Sequence, residues 1–316
     1  MTCMEMPVSF VEPSSRFPWL NDITAEAERA DWDALRARLA AADTLDDQTV
    51  ISGQIGIIAG VEDWLTPIVE QNPDDRLAAA VLAERLVHLA WEKRSNHFAE
   101  DLTEEQVRGF RQTLIRVETF LLDQIAAHPG EPHLWFCRVT SGLGMSVGLA
   151  EITRRYKRMD ALAPYSYHGA VRYLTALYPK WYGSYPAALD FVRTKAAAAP
   201  DGSLMQALPM QYYGEQLLMG SDAEVKALLA RTEVRTQLQA AARGSVLSPH
   251  HQPGPQTLTI HSNLALLFSL GQWWADAWPH FEALGPFPVL GLWQRMRDRE
   301  GAYRQFFDTA QKAGQS

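Results

Sequence analysis

The chain has 316 residues, 47% of them hydrophobic and 21% charged, which is typical of a folded protein long enough to bury an extensive core. Its net charge of −8 argues against a general nucleic-acid-binding protein, because contacts to phosphate groups require clustered Lys and Arg. The chain has only two cysteines, so no disulfide framework is predicted. It has no apolar run near the ~20 residues of a membrane helix and no signal-peptide pattern, and the sequence therefore predicts a cytoplasmic protein.

Residues 1–20 are rich in proline and are predicted to form an irregular lead-in, followed by a single α-helical repeat domain over 21–312. Near the start of that domain, Trp32, Leu35 and Leu39 follow a small residue at spacings that place all three side chains on one helix face. The small residue lets an antiparallel helix approach closely. This pattern therefore predicts the first helical hairpin.

Three helices are predicted in the next part of the chain, over 52–71, 74–94 and 103–127. Glycines weaken the middle of the first of these helices or break it. The second has an apolar stripe along one face. Thr103 and Gln106 have the spacing of a capping box, in which each side chain bonds to the backbone of the other residue, so the third helix is expected to begin there.

From residue 125 onward the sequence repeats with a period of about 35 residues. The segments Ile125-Ala-Ala-His-Pro129, Asp160-Ala-Leu-Ala-Pro164 and Ala196-Ala-Ala-Ala-Pro200 end alike, and their prolines lie 35 and 36 residues apart. Because proline cannot continue a helix, each interval fits one helical hairpin. The segment from Gly183 to Val192 has the pattern of the second helix of a tetratricopeptide repeat, with small, aromatic and apolar residues on one face.

Residues 244–256 contain several Pro, Gly and His residues and are predicted to be the one long loop. A further hairpin is expected over 264–281, and a closing helix or pair of helices over 288–312. Apolar residues follow helical spacing throughout, and no strand is predicted. The predicted fold class is therefore all-α, with the hairpins stacked into a right-handed α-α superhelix of tetratricopeptide-like repeats.

Two short motifs carry a resemblance to a known family. His88-Leu-Ala-Trp91-Glu-Lys-Arg94 and Tyr178-Pro-Lys-Trp181-Tyr-Gly183-Ser184 resemble the Ala-Trp-Glu-x-Arg and Pro-[Lys/Arg]-Trp-Gly-Gly-Ser elements of the bacterial domain-of-unknown-function family numbered 4034. Tyr182 stands where that family's second element has its first glycine, a departure that would alter the turn. The resemblance implies a tetratricopeptide-like helical fold with no assigned activity.

Two surfaces are candidate binding sites. The first consists of residues from the two motifs: Trp91, Glu92, Arg94, Trp181, Tyr182 and Ser184. Aromatic side chains at a helix end or a turn can stack on a ligand or anchor a peptide, although the same side chains can equally close the end of a hairpin. The second is the basic cluster of Arg154, Arg155, Lys157 and Arg158. Its residues 154, 155 and 158 share a helix face that could receive an acidic peptide or a phosphate group, or could simply be solvated.

Motifs for metal binding and catalysis are weak. Glu84 and His88 are four residues apart on one helix face, which suits two metal ligands, but no His-Glu-x-x-His motif or cysteine pair supplies the others. Gly142 and Gly144 are not followed by the lysine of a phosphate-binding loop, and no Gly-x-Ser-x-Gly nucleophile motif occurs. No metal site, cofactor or catalytic residue is therefore predicted, and an enzyme is disfavoured.

The repeat architecture favours a non-catalytic protein- or peptide-binding module, because stacked hairpins present an extended concave surface. The expected partner is a protein or peptide rather than a nucleic acid or a membrane, and stacked solenoid ends would give a homodimer. The alternative is an enzyme or small-molecule binder with an aromatic-lined pocket inside the helical stack. The candidate walls of that pocket are Trp91, Trp181, Trp273, Trp274 and Trp293.

Overall fold

The computed structural model of the chain describes residues 7–94 and 103–314. These residues form α-helices and short 3-10 helices with no β-strand among them, so the all-α prediction is confirmed. The chain separates into two compact units, Met1–Phe17 with Ala188–Ser316, and Pro18–Ala187. The single repeat domain and its superhelical arrangement stay predictions. No helix of the described part of the chain is long and apolar enough to span a membrane.

The Pro18–Ala187 unit contains helices α1 to α9 and the beginning of α10. Their bounds are α1 Trp19–Glu28, α2 Trp32–Ala41, α3 Leu45–Gly56, α4 Val61–Gln71, α5 Arg76–Arg94, α6 Glu104–Ala127, α7 Pro132–Gly144, α8 Leu149–Leu162, α9 Tyr167–Leu177 and α10 Tyr185–Ala198. Helix α1 begins at Trp19, two residues earlier than the predicted start of the helical domain at residue 21. The reason is Pro18, whose φ of −57° already matches a helix and whose missing N–H would be unused at a helix start.

Glycine and capping residues set the helix ends much as the sequence predicts. The predicted helix over 52–71 is broken, because α3 ends at Gly56 and α4 starts after Gly60, whose φ of +84° lies in the left-handed region that favours glycine. Thr103 and Gln106 form the predicted capping box at the start of α6. Local sequence therefore fixes where these helices start and stop.

Alternate helices of this unit surround a common centre. Helix α5 packs against α3 and α7, α9 packs against α7, and α3 contacts α9. Asp46 of α3 completes this arrangement, because its carboxylate accepts hydrogen bonds from the backbone N–H groups of Tyr167 (2.8 Å) and His168 (3.0 Å). Ser166 Oγ donates a third bond to the same carboxylate at 2.7 Å. A side chain of α3 thus caps the start of α9, which holds the four inner helices together.

The Ala188–Ser316 unit contains the remaining helices and includes the N-terminal segment. Its α-helices are α11 Leu208–Met219, α12 Asp222–Leu229, α13 Thr232–Gly244, α14 Pro255–Leu270, α15 Trp274–Leu284 and α16 Arg299–Gly314, with 3-10 helices at Pro13–Ser15, Leu204–Ala207 and Gly291–Arg295. The backbone N–H groups of Ser9 and Val11 donate to the carbonyl oxygens of Pro286 (3.0 Å) and Pro288 (2.9 Å). These bonds attach the lead-in to the unit.

The predicted loop over 244–256 connects α13 to α14 and is anchored at its middle. His251 Nδ1 lies 3.0 Å from the carbonyl oxygen of Gly202, and His251 Nε2 lies 2.9 Å from the hydroxyl of Thr257. Gly202 has a φ of +84°, and a side chain there would overlap the backbone of this loop. Both ring nitrogens of His251 are therefore used to fix the loop in place.

Candidate functional site

Polar side chains from α3, α5, α7 and α9 cluster at the centre of the Pro18–Ala187 unit. We call this cluster the polar centre, and its members are Asp46, Thr49, Ser52, Glu84, His133, Cys137, His168 and Arg172. Helices α3, α7 and α9 each contribute residues three or four positions apart, which lie on one face of a helix. The inner helices therefore present polar faces to one another.

The repeat period places these residues at equivalent positions of successive hairpins. Glu84 follows Thr49 by 35 residues, and His168 follows His133 by 35 residues. The interval from Glu84 to His133 is longer, because the outer helix between them, α6, has 24 residues, whereas α4 has 11. Each of these two pairs thus has the interval of the predicted repeat, whereas the step from Glu84 to His133 does not.

Glu84, His133 and Cys137 form the most compact group of the polar centre. Glu84 Oε2 lies 3.2 Å from His133 Nε2 and accepts a hydrogen bond from Cys137 Sγ at 3.4 Å. Ser52 Oγ lies 3.1 Å from the same nitrogen of His133. His133 and Cys137 are each 1% exposed, whereas the Glu84 side chain is 18% exposed. Oxygen, nitrogen and sulfur atoms thus share one small, largely dry volume.

Burial and neighbouring charges set the ionisation of this group. Burial raises the pKa of the Cys137 thiol well above its usual value, and the Glu84 carboxylate raises it further, so the thiol is protonated at neutral pH. Burial alone would also raise the pKa of Glu84, but the hydrogen bond and charge of His133 and the charge of Arg172 lower it overall. Glu84 is therefore a carboxylate that accepts a bond from a neutral thiol.

His168 supplies a second imidazole to the polar centre. Thr49 donates its hydroxyl proton to the backbone oxygen of Asp46 (2.9 Å). Thr49 Oγ1 is therefore the acceptor in its short hydrogen bond with His168 Nδ1, and the proton of the His168 ring lies on Nδ1. His168 Nε2 is buried and has no hydrogen-bond partner among the described residues. Burial and the charge of Arg172 lower the pKa of His168, and they outweigh the charges of Asp46 and Glu84, which raise it. The ring is thus neutral, with a free lone pair on Nε2.

The first candidate surface joins the end of α5 to α6. Trp91 packs against Phe110 with ring centroids 5.1 Å apart, and the Arg94 guanidinium lies 5.7 Å from the centre of the Trp91 ring. Glu92 pairs with His88 at 3.1 Å, one helical turn away. The residues of this motif therefore contact one another and the neighbouring helix, as in the hairpin-closing alternative.

Trp181, Tyr182 and Ser184 lie in the turn between α9 and α10. The rings of Trp181 and Tyr182 are half-buried, with centroids 6.3 Å apart. The N–H groups of Trp181 and Gly183 donate to the same carbonyl oxygen at the end of α9. Ser184 Oγ accepts a hydrogen bond from the N–H of Ala187 (3.3 Å), which caps α10. The contacts of this motif thus build a turn and a helix start.

Gly183→Ala is expected to lower the free energy of unfolding by about 1–3 kcal/mol, because an added Cβ would overlap the carbonyl group of Leu177. The carbonyl carbon would lie only 2.6 Å away, and backbone cannot rotate aside as a side chain can. Urea denaturation measures the change. Gly109→Ala is the matched control, since nothing lies within 4 Å of a Cβ at that helical position. Equal stability of the two variants would contradict the overlap.

The second candidate surface is largely neutralised by carboxylates. Arg154 makes a two-point contact with Glu151, at 2.7 and 2.8 Å. The intervening Arg155 is buried and pairs with both Glu118 and Glu151. The hydrogen bond from Arg154, followed by the interactions of Arg155, lowers the pKa of Glu151 to about 2. Arg154 and the buried Arg155 are thus committed to carboxylates, and of the cationic face predicted for a phosphate group only the exposed Arg158 has no ion pair among the described residues.

The tryptophans proposed as pocket walls have packing partners. Trp293 is fully buried in the Ala188–Ser316 unit, and its indole N–H donates to the carbonyl oxygen of Ser262 at 2.9 Å. Trp273 and Trp274 each pack against a phenylalanine of the same unit. Trp91 and Trp181 occupy the helix end and the turn described above. These contacts are those of core and helix-packing residues.

A groove of about 840 Å³ opens on the Ala188–Ser316 unit, between α11, α12, the end of α14 and the segment after Gly291–Arg295. Its apolar lining includes Leu217, Val225, Leu229, Leu270 and Met296. Its charged lining consists of Lys226, Arg297 and the ion pair of Arg295 with Asp222, at 2.6 Å. We call this surface the groove; it combines an apolar floor with an excess of positive charge.

Glu84 and His88, the two residues of α5 with metal-ligand spacing, have different partners. Glu84 faces His133 and Cys137 of α7, while His88 contacts Glu92. The interval of about 35 residues relates Thr49 to Glu84 and His133 to His168, but it does not relate Glu84 to His133.

No family model, curated protein or solved structure matches the chain. The resemblance to the family numbered 4034 therefore stays a prediction. Functional conclusions depend on the chemistry of the polar centre and of the groove, since a helical fold is compatible with many functions.

Proposed function

We propose that this chain is a peptide-binding helical protein and that the groove of the Ala188–Ser316 unit is its peptide site. The observation that carries the proposal is the combination of an apolar floor with cationic side chains on a protein whose net charge is −8. A cytoplasmic location and a partner other than nucleic acid are part of the same proposal. The net charge and the scarcity of cysteine support them.

The lining of the groove defines the chemistry of the partner. Leu217, Val225 and Leu229 offer a floor for aliphatic side chains. Lys226 and Arg297 have no ion-pair partner within the described ranges, so their charges are available to carboxylates of a ligand. The expected partner is a short peptide segment in which aliphatic residues alternate with Asp or Glu. Opposite charge would both orient that segment and speed its association.

A labelled peptide in which Leu and Glu alternate should bind the full chain, as followed by fluorescence anisotropy. The Lys226→Glu/Arg297→Glu variant is expected to weaken binding at least about tenfold, equivalent to about 1.4 kcal/mol, because two attractive contacts become repulsive. The matched control is Arg116→Glu/Lys157→Glu, which makes the same charge change at exposed residues of α6 and α8.

Three results would contradict the peptide proposal. One is failure of the wild-type chain to bind the Leu–Glu peptide, and another is equal affinity of the groove and control variants. The third is equal binding of a peptide in which Leu and Lys alternate, because the groove would then show no preference for acidic partners. Helix content measured by circular dichroism confirms that each variant is folded.

A second candidate function, binding of a small ligand inside the Pro18–Ala187 unit, is favoured by the polar centre. Buried carboxylate, thiol and imidazole groups destabilise a fold unless they are fully paired. Their concentration around His133 and Glu84 therefore suggests a functional reason for keeping them.

A further inference from the structure

We propose that Glu84, His133 and Cys137 bind a zinc ion. Their ligand atoms, a carboxylate oxygen, an imidazole nitrogen and a sulfur, all lie within 4.8 Å of one another. They project from α5 and α7, two helices that pack directly together. This site goes beyond the peptide-binding function proposed above, because it involves residues of the Pro18–Ala187 unit only.

Two of the three distances between the ligand atoms match the edges of a zinc tetrahedron. Zinc bonds of about 2.0 Å to oxygen and nitrogen and about 2.3 Å to sulfur place oxygen and nitrogen about 3.3 Å apart, and oxygen and sulfur about 3.5 Å apart. The corresponding distances are 3.2 Å from Glu84 Oε2 to His133 Nε2, and 3.4 Å from Glu84 Oε2 to Cys137 Sγ. Two edges of the site are therefore already at zinc distance, and the third, from His133 Nε2 to Cys137 Sγ, is no longer than 4.8 Å.

The donor set selects the class of metal. Mg²⁺ and Ca²⁺ prefer sites built from oxygen atoms, which a thiol and an imidazole do not provide. A mixed nitrogen, oxygen and sulfur set suits borderline-soft ions such as Zn²⁺ and Co²⁺. On binding, metal–sulfur and metal–nitrogen bonds replace the S–H bond of Cys137 and the Nε2–H bond of His133. The imidazole keeps one proton, on Nδ1, and the displaced protons pass to solvent. No oxidant or reductant is required.

His168 is the candidate for the fourth ligand. It lies on α9, 35 residues after His133, and its ring would have to move to reach the metal, because the atoms within 4.8 Å of one another are those of Glu84, His133 and Cys137 only. Thr49 holds its Nδ1, which leaves Nε2 with a buried lone pair and no partner among the residues the structure describes. Ligating histidines are commonly oriented in this way by a hydrogen bond to the other ring nitrogen. Thr49 would thus position His168 for the metal.

Titration of the chelator-treated full chain with Co²⁺ tests the site, because a thiolate bound to Co²⁺ gives a charge-transfer absorption band and tetrahedral Co²⁺ gives strong visible bands. Wild type should bind one equivalent, with both signals, and Zn²⁺ should displace it. Cys137→Ser should lose the charge-transfer band and at least about a hundredfold in affinity, since even residues behind the ligands contribute ten- to hundredfold. His168→Gln should weaken the visible bands if His168 is the fourth ligand.

Matched variants separate the site from other metal-binding groups. Cys3→Ser removes the other cysteine, which lies outside the described residues, and should keep the full spectrum. His88 lies one helical turn from Glu84 but contacts Glu92, so His88→Gln should also leave the spectrum unchanged. If Cys137→Ser does not fold, Glu84→Gln provides the second ligand variant. Absence of Co²⁺ bands in wild type, or wild-type affinity in both ligand variants, overturns the proposal.

Discussion

Arg85→Met is expected to lower the free energy of unfolding by about 3 kcal/mol, the lower end of the range for breaking a buried ion pair. The Arg85 side chain is 2% exposed, and its guanidinium bonds to Glu62 (2.6 Å) and to the carbonyl oxygen of Gly56 (2.9 Å). Methionine would fill much of the space but leave both acceptors without a donor. The lower end of the range applies because Glu62 is 25% exposed and partly regains water.

Urea denaturation compares this variant with two others. Arg36→Met removes a cation that is 53% exposed from its pair with Asp75. The cost is expected to be no more than about 1 kcal/mol, because the Asp75 carboxylate, 11% exposed, keeps its bond from Trp32 Nε1. Glu62→Met/Arg85→Met should recover much of the loss, since an apolar pair leaves no buried charge uncompensated. If Arg85→Met is no more destabilising than Arg36→Met, burial does not amplify this interaction.

Local sequence signals predict the helices well because they act over a few residues. The capping box of Thr103 and Gln106 depends on contacts within one turn, and the break at Gly60 depends on that residue's own φ. The cap on α9 is different, because Asp46 supplies it from 120 residues earlier in the chain. Such a contact exists only once α3 and α9 are packed together, so no local pattern could reveal it.

The polar centre is hidden from sequence for a related reason. Helical spacing assigns Glu84 a neighbour at His88, one turn along the same face, and offers no complete ligand set on that helix. The actual neighbours, His133 and Cys137, lie on the next inner helix, beyond α6. Which turn of α7 faces Glu84 depends on the register of helix packing, and apolar periodicity does not specify that register.

The two family-like motifs show the opposite difficulty, since short patterns do not separate ligand contacts from packing contacts. Trp91 has a ring partner in Phe110, and Gly183 is required by the Leu177 carbonyl group. Both residue types would also suit an aromatic binding surface. The lack of space for a Cβ beside the Leu177 carbonyl group is sufficient to explain why glycine stands at position 183.

A pair of buried histidines makes the Ala188–Ser316 unit sensitive to acid. His261 Nδ1 and His280 Nδ1 lie 2.8 Å apart, a distance that allows one neutral ring to donate to the other. The two residues are 4% and 0% exposed, and the ring of Phe268 stacks on His280. His280 Nε2 is buried without a partner in the described chain. A positive charge on this pair of rings would be neither hydrated nor paired with an opposite charge.

Burial, followed by the charges of His251 and Arg16, lowers the pKa of His261 to about 4. Burial and His261 lower the pKa of His280 well below its usual value. An unfolded histidine titrates near pH ~6.5, so between about pH 6.5 and about pH 4 the unfolded chain binds more protons than the folded chain. Stability is therefore complete above that window and falls as the pH decreases through it. The loss from His261 alone is about 3 kcal/mol.

The free energy of unfolding should consequently fall more steeply with acid in wild type than in His261→Gln/His280→Gln, whose amide side chains do not titrate. Carboxylates elsewhere contribute equally to both proteins, so the difference between the two pH profiles isolates the histidine pair. His250→Gln, at an exposed position of the same unit, is the matched control for the loss of a histidine. Urea denaturation across the pH window measures all three profiles. If the double variant loses as much stability as wild type on acidification, the buried pair is not the acid-sensitive element of this unit.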